Sequence, residues 1–165
     1  MPEKETIERA REDAREGKSP STQAGEFVRE EMHHIREGKH GARSTKQAIA
    51  IGLSKARRAG VKLRPPKKGS TSAKTRRSAE RAYRKGQSGS KKRSARRSRA
   101  VRGALKRERR SAASRRALSG QARTAARRRS AKSRSMAAKK AARTKGRAGR
   151  SAAAKKAART RARRR

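Results

Sequence analysis

The charge of this chain is divided unevenly, and that division limits what its larger part can fold into. Residues 65–165 contain forty lysines and arginines but two acids, whereas residues 1–64 contain fifteen bases and ten acids. Large apolar side chains are rare after residue 64, and aromatic residues make up 1% of the whole chain. Because burial of apolar surface must offset the entropy lost on ordering, this composition predicts extensive disorder in the basic part.

Proline, glycine and serine residues separate the two parts. The prolines at positions 65 and 66 oppose helix formation, and Gly69 and Ser70 follow them. The predicted fold class is mostly α: a small N-terminal helical hairpin or three-helix module, then a long basic tail that is disordered or partly helical and gains helix on binding. The predicted segments are a helical domain (1–64), a linker (65–72), a basic segment with marginal helices (73–118) and an Ala/Lys/Arg-rich low-complexity tail (119–165).

The spacing of apolar residues predicts three helices before the linker. The first, about residues 3–16, has a weak apolar stripe and is expected to dock loosely or not at all. The second, about residues 21–37, repeats apolar residues at three-to-four spacing. The third begins at a capping box, with Ser44 as N-cap and Gln47 three residues later, and ends at Gly60 in a Schellman motif.

One apolar face is shared by the second and third helices. Gly52 lies within it, where a missing side chain lets a neighbouring helix approach closely. Glu31 projects onto the same face, either as a rim carboxylate that faces water or as the partner of a base on the third helix. The residues predicted to form the core, or to contact a protein partner or a second copy through residues 21–63, are Phe27, Val28, Met32, Ile35, Ile49 and Leu53.

Basic side chains supply the predicted nucleic-acid contacts. Three lie on the third helix, on a face that an ordinary solvated surface explains equally well: Lys46, Arg57 and Arg58. Residues 137–144 and 153–160 both read Ala-Ala-Lys-Lys-Ala-Ala-Arg-Thr, which indicates a duplication. The remaining predicted contacts all follow the linker: Arg76, Arg77, Arg93, Arg96, Arg97, Arg115, Arg116, Arg127, Arg128, Arg129, Lys139, Lys140, Arg143, Lys155, Lys156, Arg159, Arg163, Arg164 and Arg165.

The kind of polyanion follows from what the tail lacks. With one Tyr and no Trp, it has almost nothing on which single-stranded bases could stack, which favours duplex DNA or structured RNA over a single strand. Of these two, duplex DNA is the predicted partner. It also lacks the Leu, Phe and Trp that membrane insertion needs, so no membrane partner is predicted. Contacts between bases and phosphates position and condense a duplex without reading its sequence. A helix-turn-helix built from the second and third helices is the sequence-reading alternative.

Other functional classes find little support in the residues. The chain has no cysteine, and no acid pair or nucleophile–base set stands out, so we predict no enzymatic activity and no cofactor. His33, His34 and His40 suggest a metal, but no third and fourth ligand follows at a convincing spacing, and we predict none. No apolar run is long enough to span a bilayer. A soluble cytoplasmic protein is therefore expected.

Residues 26–63, and especially residues 38–53, resemble a small bacterial domain of unknown function that is often followed by a basic tail. That family has no established activity to carry over. The Ala-Ala-Lys-Lys-Ala-Ala repeats resemble the tails of bacterial histone-like proteins related in composition to linker histones, which implies nucleoid binding and DNA compaction. The hypothesis is thus a sequence-independent, histone-like DNA-binding protein. The alternatives are an RNA- or ribosome-associated protein and a protein-interaction module with a polyanion-binding tail.

Overall fold

The computed structural model describes residues 2–89 and 94–163, and these residues form helices and no strand. Two compact units are present, Met1–Gln121 and Ala122–Arg165. The mostly helical fold class is confirmed. In chain order the elements are α1 (Lys4–Arg15), α2 (Pro20–Arg36), α3 (Thr45–Arg58), α4 (Ala73–Gln87), α5 (Ala95–Lys106), a 3₁₀ helix (Arg110–Ala113), α6 (Arg115–Arg127) and α7 (Ala131–Ala162).

Serine residues begin most of these helices. Their hydroxyl oxygens each accept a hydrogen bond from the amide three residues later, which satisfies a first-turn donor that has no intrahelical partner. In α3 the capping box forms with one change, because the Gln47 side chain accepts from the amide of Arg43 rather than from that of the N-cap. The serines with this bond are Ser19, Ser44, Ser72, Ser94, Ser114 and Ser130.

The end of α3 has the predicted Schellman motif. Gly60 has a φ of +98°, in the left-handed region that glycine adopts without a steric penalty. Its amide donates to the carbonyl of Arg57, and the amide of Val61 donates to the carbonyl of Ala56, both at 3.2 Å. This turn sends the chain back along α3 toward Leu63, which packs on the core.

Two apolar clusters form the core of the first unit. One contains buried residues of α2, the α2–α3 loop, α3 and the 3₁₀ helix: Met32, Ile35, Ala42, Ala48, Ala112 and Ala113. The other joins α1, α2 and α3 through buried Ala10, Ala24, Phe27 and Ala56. Val28 and Ile49 pack against the first cluster and Leu53 against the second. All six predicted core residues therefore pack within the chain.

Helix α1 packs on α2, which differs from the loose or absent docking expected from its weak apolar stripe. Thr6 and Ala10 are both buried, and Arg9 Nε lies 2.8 Å from Glu26 Oε2 on α2. Small side chains let the two helices approach closely, so α1 needs no row of large apolar residues.

Part of the basic segment packs on the hairpin formed by α2 and α3. Helix α4 lies against α3 and buries Ala79 and Ala82. Gly86 lies inside α4, and a Cβ there would collide with the carbonyl oxygen of Arg57. The glycine permits close approach to α3 and does not end the helix.

A second piece, which we call the docking segment (residues 105–113), binds to the α2–α3 loop through backbone hydrogen bonds. The amide of Gly41 donates to the carbonyl of Leu105 at 2.8 Å, and the amide of Ala42 donates to the carbonyl of Arg109 at 3.0 Å. Thr45 Oγ1 donates to the carbonyl of Ala112 at 2.7 Å. One compact unit thus extends across the linker that the charge division predicted as a boundary.

The structure does not support the extensive disorder predicted for the basic part. Two physical reasons account for the difference. Alanines of α4 and the 3₁₀ helix bury against the hairpin, so part of the tail does acquire a core contact. The remainder is rich in Ala, Lys and Arg, which have high intrinsic helix propensity, and it forms α5, α6 and α7.

In the second unit, α7 buries no residue. Gly146 interrupts it, with φ +62° and ψ −179°, and divides it into two helical halves. Each half contains six bases and one copy of the duplicated octapeptide. The duplication therefore corresponds to two successive helices of similar length and charge.

Candidate nucleic-acid interface

The basic face predicted on α3 is only partly formed. Lys46 and Arg58 are exposed, whereas Arg57 is 6% exposed. The Arg57 guanidinium donates to the carbonyls of Leu63, at 3.1 Å, and Arg64, at 3.5 Å. Burial lowers the pKa of Arg57. Because its donors hold the segment after the Schellman turn, we exclude Arg57 from the interface that the sequence predicted.

The predicted contacts after the linker are nearly all exposed in the described part of the chain. Arg76 on α4 is half-buried. Arg93, Arg164 and Arg165 lie outside the described residues. The exposed members are Arg77, Arg96, Arg97, Arg115, Arg116, Arg127, Arg128, Arg129, Lys139, Lys140, Arg143, Lys155, Lys156, Arg159 and Arg163. The acids after residue 64 are Glu80 and Glu108, so carboxylates of this part of the chain can neutralise few of these bases.

The two halves of α7 have dimensions that suit a duplex. A half of about fifteen residues is roughly 22 Å long at 1.5 Å per residue. Duplex DNA carries roughly thirteen phosphate charges over that length. The six bases of each half therefore match about half of the phosphates that the helix could lie beside.

A cleft in the first unit brings two helix N-termini together. It has a volume of about 440 Å³ and lies where α3 begins at its N-cap Ser44 and α6 begins after Ser114. Exposed Arg43 and Arg116 both line it. Helix N-termini present backbone amides and a partial positive charge, and arginine presents a planar fork of donors. The cleft is thus electropositive from both its backbone and its side chains.

A group of ionisable side chains lies at one end of the hairpin, where α2 meets the α2–α3 loop. Glu31 is fully buried, with Lys55 Nζ 2.7 Å from its Oε2 and His40 Nε2 3.3 Å from its Oε1. Neither contact has hydrogen-bonding geometry, so among the described residues both carboxylate oxygens lack a hydrogen bond. Glu31 therefore pairs with a base of α3 and is not the water-facing rim carboxylate that was the other interpretation.

His34 belongs to the same group. It is 9% exposed, and its Nε2 lies 2.8 Å from Glu3 Oε1. Hydrogen bonds from His34 and Lys39 hold the pKa of Glu3 below its ordinary value, which keeps Glu3 ionised as the acceptor. His33, the third histidine, is exposed on α2.

Sequence reasoning missed two features of these sites. Arg43 was not among the predicted contacts, and it shares the cleft with Arg116 although 72 residues separate them. The grouping of Glu31, His34 and His40 was also missed, because His40 lies in a loop whose path no helical spacing predicts. One pair within this group could have been found from the sequence. Glu31 and His34 are three residues apart, which puts both on one face of α2.

Helices in the described ranges 2–89 and 94–163 are not long and apolar enough to cross a membrane.

Comparison with known proteins identifies a domain but no function. Residues 15–68 match the model of a family of unknown function, DUF6496. This match covers all of α2 and α3 with the segment after them, and it supports the predicted N-terminal domain of unknown function. It ends before α4 and the docking segment, which pack on that domain here. No curated protein and no solved structure matches the chain.

Proposed function

We propose that this protein binds nucleic acid without reading its sequence, favours duplex DNA, and compacts DNA in the bacterial nucleoid by neutralising phosphates. The observation that carries the proposal is the excess of forty bases over two acids after residue 64, displayed mainly on exposed helices. Closely spaced charges of one sign repel one another and do not stabilise the helices that carry them. These charges attract a polyanion and release the counterions condensed on it.

The first unit contributes an anchored platform in this proposal. The docking segment holds the start of α6 beside α3, so the cleft with Arg43 and Arg116 lies on a packed domain. Backbone phosphates are the groups that such a cleft would accept. The exposed helices of the second unit then add contacts along the duplex, and phosphates that lie beside α7 would relieve the repulsion among its own bases.

The sequence-independent binding and the preference for DNA are tested with the full-length chain in competition experiments at about 0.15 M salt. We expect two unrelated duplexes of equal length to bind with affinities within about threefold of each other, because phosphate contacts carry no base information. A structured RNA of the same length should compete less well than either duplex. A strong preference for RNA would support the alternative of an RNA- or ribosome-associated protein instead.

The contribution of the cleft is tested by replacing Arg43 and Arg116 with glutamine. If both side chains bind phosphates, the slope of log K against log salt should fall by about 2, since each phosphate contact contributes about 0.9. The matched control replaces Arg99 and Arg102, which are exposed on α5 and are not among the predicted contacts, and removes the same charge. An equal fall in both double variants would contradict a special contribution from the cleft.

The third hypothesis, a contact with a protein partner or a second copy through residues 21–63, stays a prediction. Phe27, Met32 and Ile35 are already buried within the chain, so such a contact would have to use the outward faces of α2 and α3. Measuring the mass of the full-length protein in solution tests self-association. A monomer at micromolar concentration would count against the homo-oligomer.

A further inference from the structure

The tautomers of His34 and His40 can be assigned from their hydrogen-bond partners. Nε2 of His34 contacts the ionised carboxylate of Glu3 at 2.8 Å, and Nδ1 of His40 contacts the carbonyl oxygen of Gly41 at 3.0 Å. Both partners can only accept, so these two ring nitrogens carry the protons and donate. In the neutral form of each ring, the lone pair is then on Nδ1 of His34 and on Nε2 of His40.

This arrangement leaves electron pairs facing one another. The Nε2 lone pair of His40 lies 3.3 Å from Glu31 Oε1, an oxygen that is buried and accepts no hydrogen bond among the described residues. A nitrogen lone pair beside an unsatisfied carboxylate oxygen is repulsive unless a cation or a proton lies between them. A ring nitrogen of His34 lies nearby. One potential metal-ligating atom from each of Glu31, His34 and His40 lies within 4.8 Å of the other two.

We propose that Glu31, His34 and His40 form a site for a transition-metal ion of the zinc type. Imidazole nitrogens with a carboxylate oxygen suit Zn²⁺ and its neighbours rather than Mg²⁺ or Ca²⁺, which take oxygen ligands. Histidines that bind metals typically donate their other N–H to a carboxylate or a backbone carbonyl. His34 and His40 each do so, and those bonds orient both rings.

The distances are close to what tetrahedral coordination needs. Ligands about 2.0–2.2 Å from Zn²⁺ lie roughly 3.4 Å from one another. His40 Nε2 and Glu31 Oε1 already have that separation, at 3.3 Å, whereas the His34 donor, within 4.8 Å of both, would have to move closer to the ion. The fourth position is left for water.

Lys55 is the cation that already neutralises this carboxylate in part. Its Nζ lies 2.7 Å from Glu31 Oε2 and 3.2 Å from Glu30 Oε1. It therefore occupies the other oxygen of Glu31 and leaves Oε1 for the metal. A metal at Oε1 would join α2 to the loop whose amides hold the docking segment.

The test is a Zn²⁺ titration of the full-length protein against a chromophoric chelator. We expect one Zn²⁺ per chain, and a rise in Tm of about 9 °C when free Zn²⁺ is about a hundred times its Kd. His34→Gln and His40→Gln should each weaken binding by about 100-fold or more, since even outer-shell partners of a metal are worth 10–100-fold. Glu31→Gln should remove binding as well.

His33→Gln is the matched control, because His33 neighbours His34 on α2 but is exposed. It should leave stoichiometry, affinity and the Tm rise unchanged. Circular dichroism of the metal-free variants shows whether each is folded. If His34→Gln does not fold, His40→Gln decides the outcome, because His40 lies in a loop and is half-buried. Absence of Zn²⁺ binding in the wild type, or an equal loss in His33→Gln, overturns the proposal.

Discussion

Removal of residues 130–165 is expected to abolish most of the affinity for duplex DNA while leaving the first unit folded. The deletion begins at the N-cap of α7 and removes fifteen bases and no acid. If about eight of those bases contact phosphates at once, the slope of log K against log salt should fall by about 7, and affinity near 0.15 M salt should fall by roughly 1,000-fold. Fluorescence anisotropy of a labelled duplex over a range of salt concentrations measures both quantities.

Two controls separate charge from structure in that experiment. Since α7 buries no residue, the deletion should leave the Tm of the remaining protein unchanged. A chain in which residues 130–165 are permuted, with the same composition, should bind nearly as well as the wild type, because counterion release depends on charge rather than on order. Unchanged salt dependence after the deletion would contradict the proposed function. Loss of binding in the permuted chain would show that the duplicated helices themselves are required.

The features of the fold that could be predicted from the sequence are those whose cause is local. The N-cap at Ser44 and the Schellman turn at Gly60 each depend on residues within one turn of the helix. Apolar periodicity likewise places Phe27 and Ile35 on the inner face of α2, where both are buried. Each of these signals depends on residues close together in the chain, so each can be recognised without knowledge of the tertiary structure.

The docking segment could not be predicted, because its contacts have no side-chain signature. Backbone amides of Gly41 and Ala42 bind carbonyls of Leu105 and Arg109, more than sixty residues away. Any residue but proline offers the same amide and any residue the same carbonyl. The one trace in the sequence is Gly41, where a Cβ would collide with the carbonyl oxygen of Glu108. A lone glycine in a loop is too common to identify that contact.

The candidate interface could likewise be predicted only where exposure follows from residue type and not from tertiary packing. Exposure is the usual state of lysine and arginine, so assigning tail bases to the surface required no knowledge of packing. Arg57 is the exception, because the chain after Gly60 folds over it and presents the carbonyl of Leu63 to its guanidinium. A helical projection of α3 alone places Arg57 opposite the apolar face. It contains no information about a later segment that covers that position.

Gly52→Ala is expected to destabilise the first unit more than any single change of charge on the exposed surface. A Cβ at Gly52 would lie 2.7 Å from Val28 Cα and 3.0 Å from the carbonyl oxygen of Phe27. Both are backbone atoms of α2, so no flexible side chain can move aside, and α2 and α3 must separate. We expect a loss of about 3 kcal/mol in the free energy of unfolding and a fall in Tm of about 10 °C. Thermal and urea unfolding followed by circular dichroism measure these changes.

Gly25→Ala is the matched control for this prediction. Gly25 also lies within a helix, α2, but a Cβ there would meet no atom within 4 Å, and the position is exposed. Alanine should therefore stabilise the helix by about 0.5–1 kcal/mol through its higher propensity. Opposite signs for the two substitutions would show that close approach of α3 to α2 at Gly52 holds the hairpin together. Similar changes in both variants would contradict that contact, because helix propensity alone would then account for the effect of each alanine.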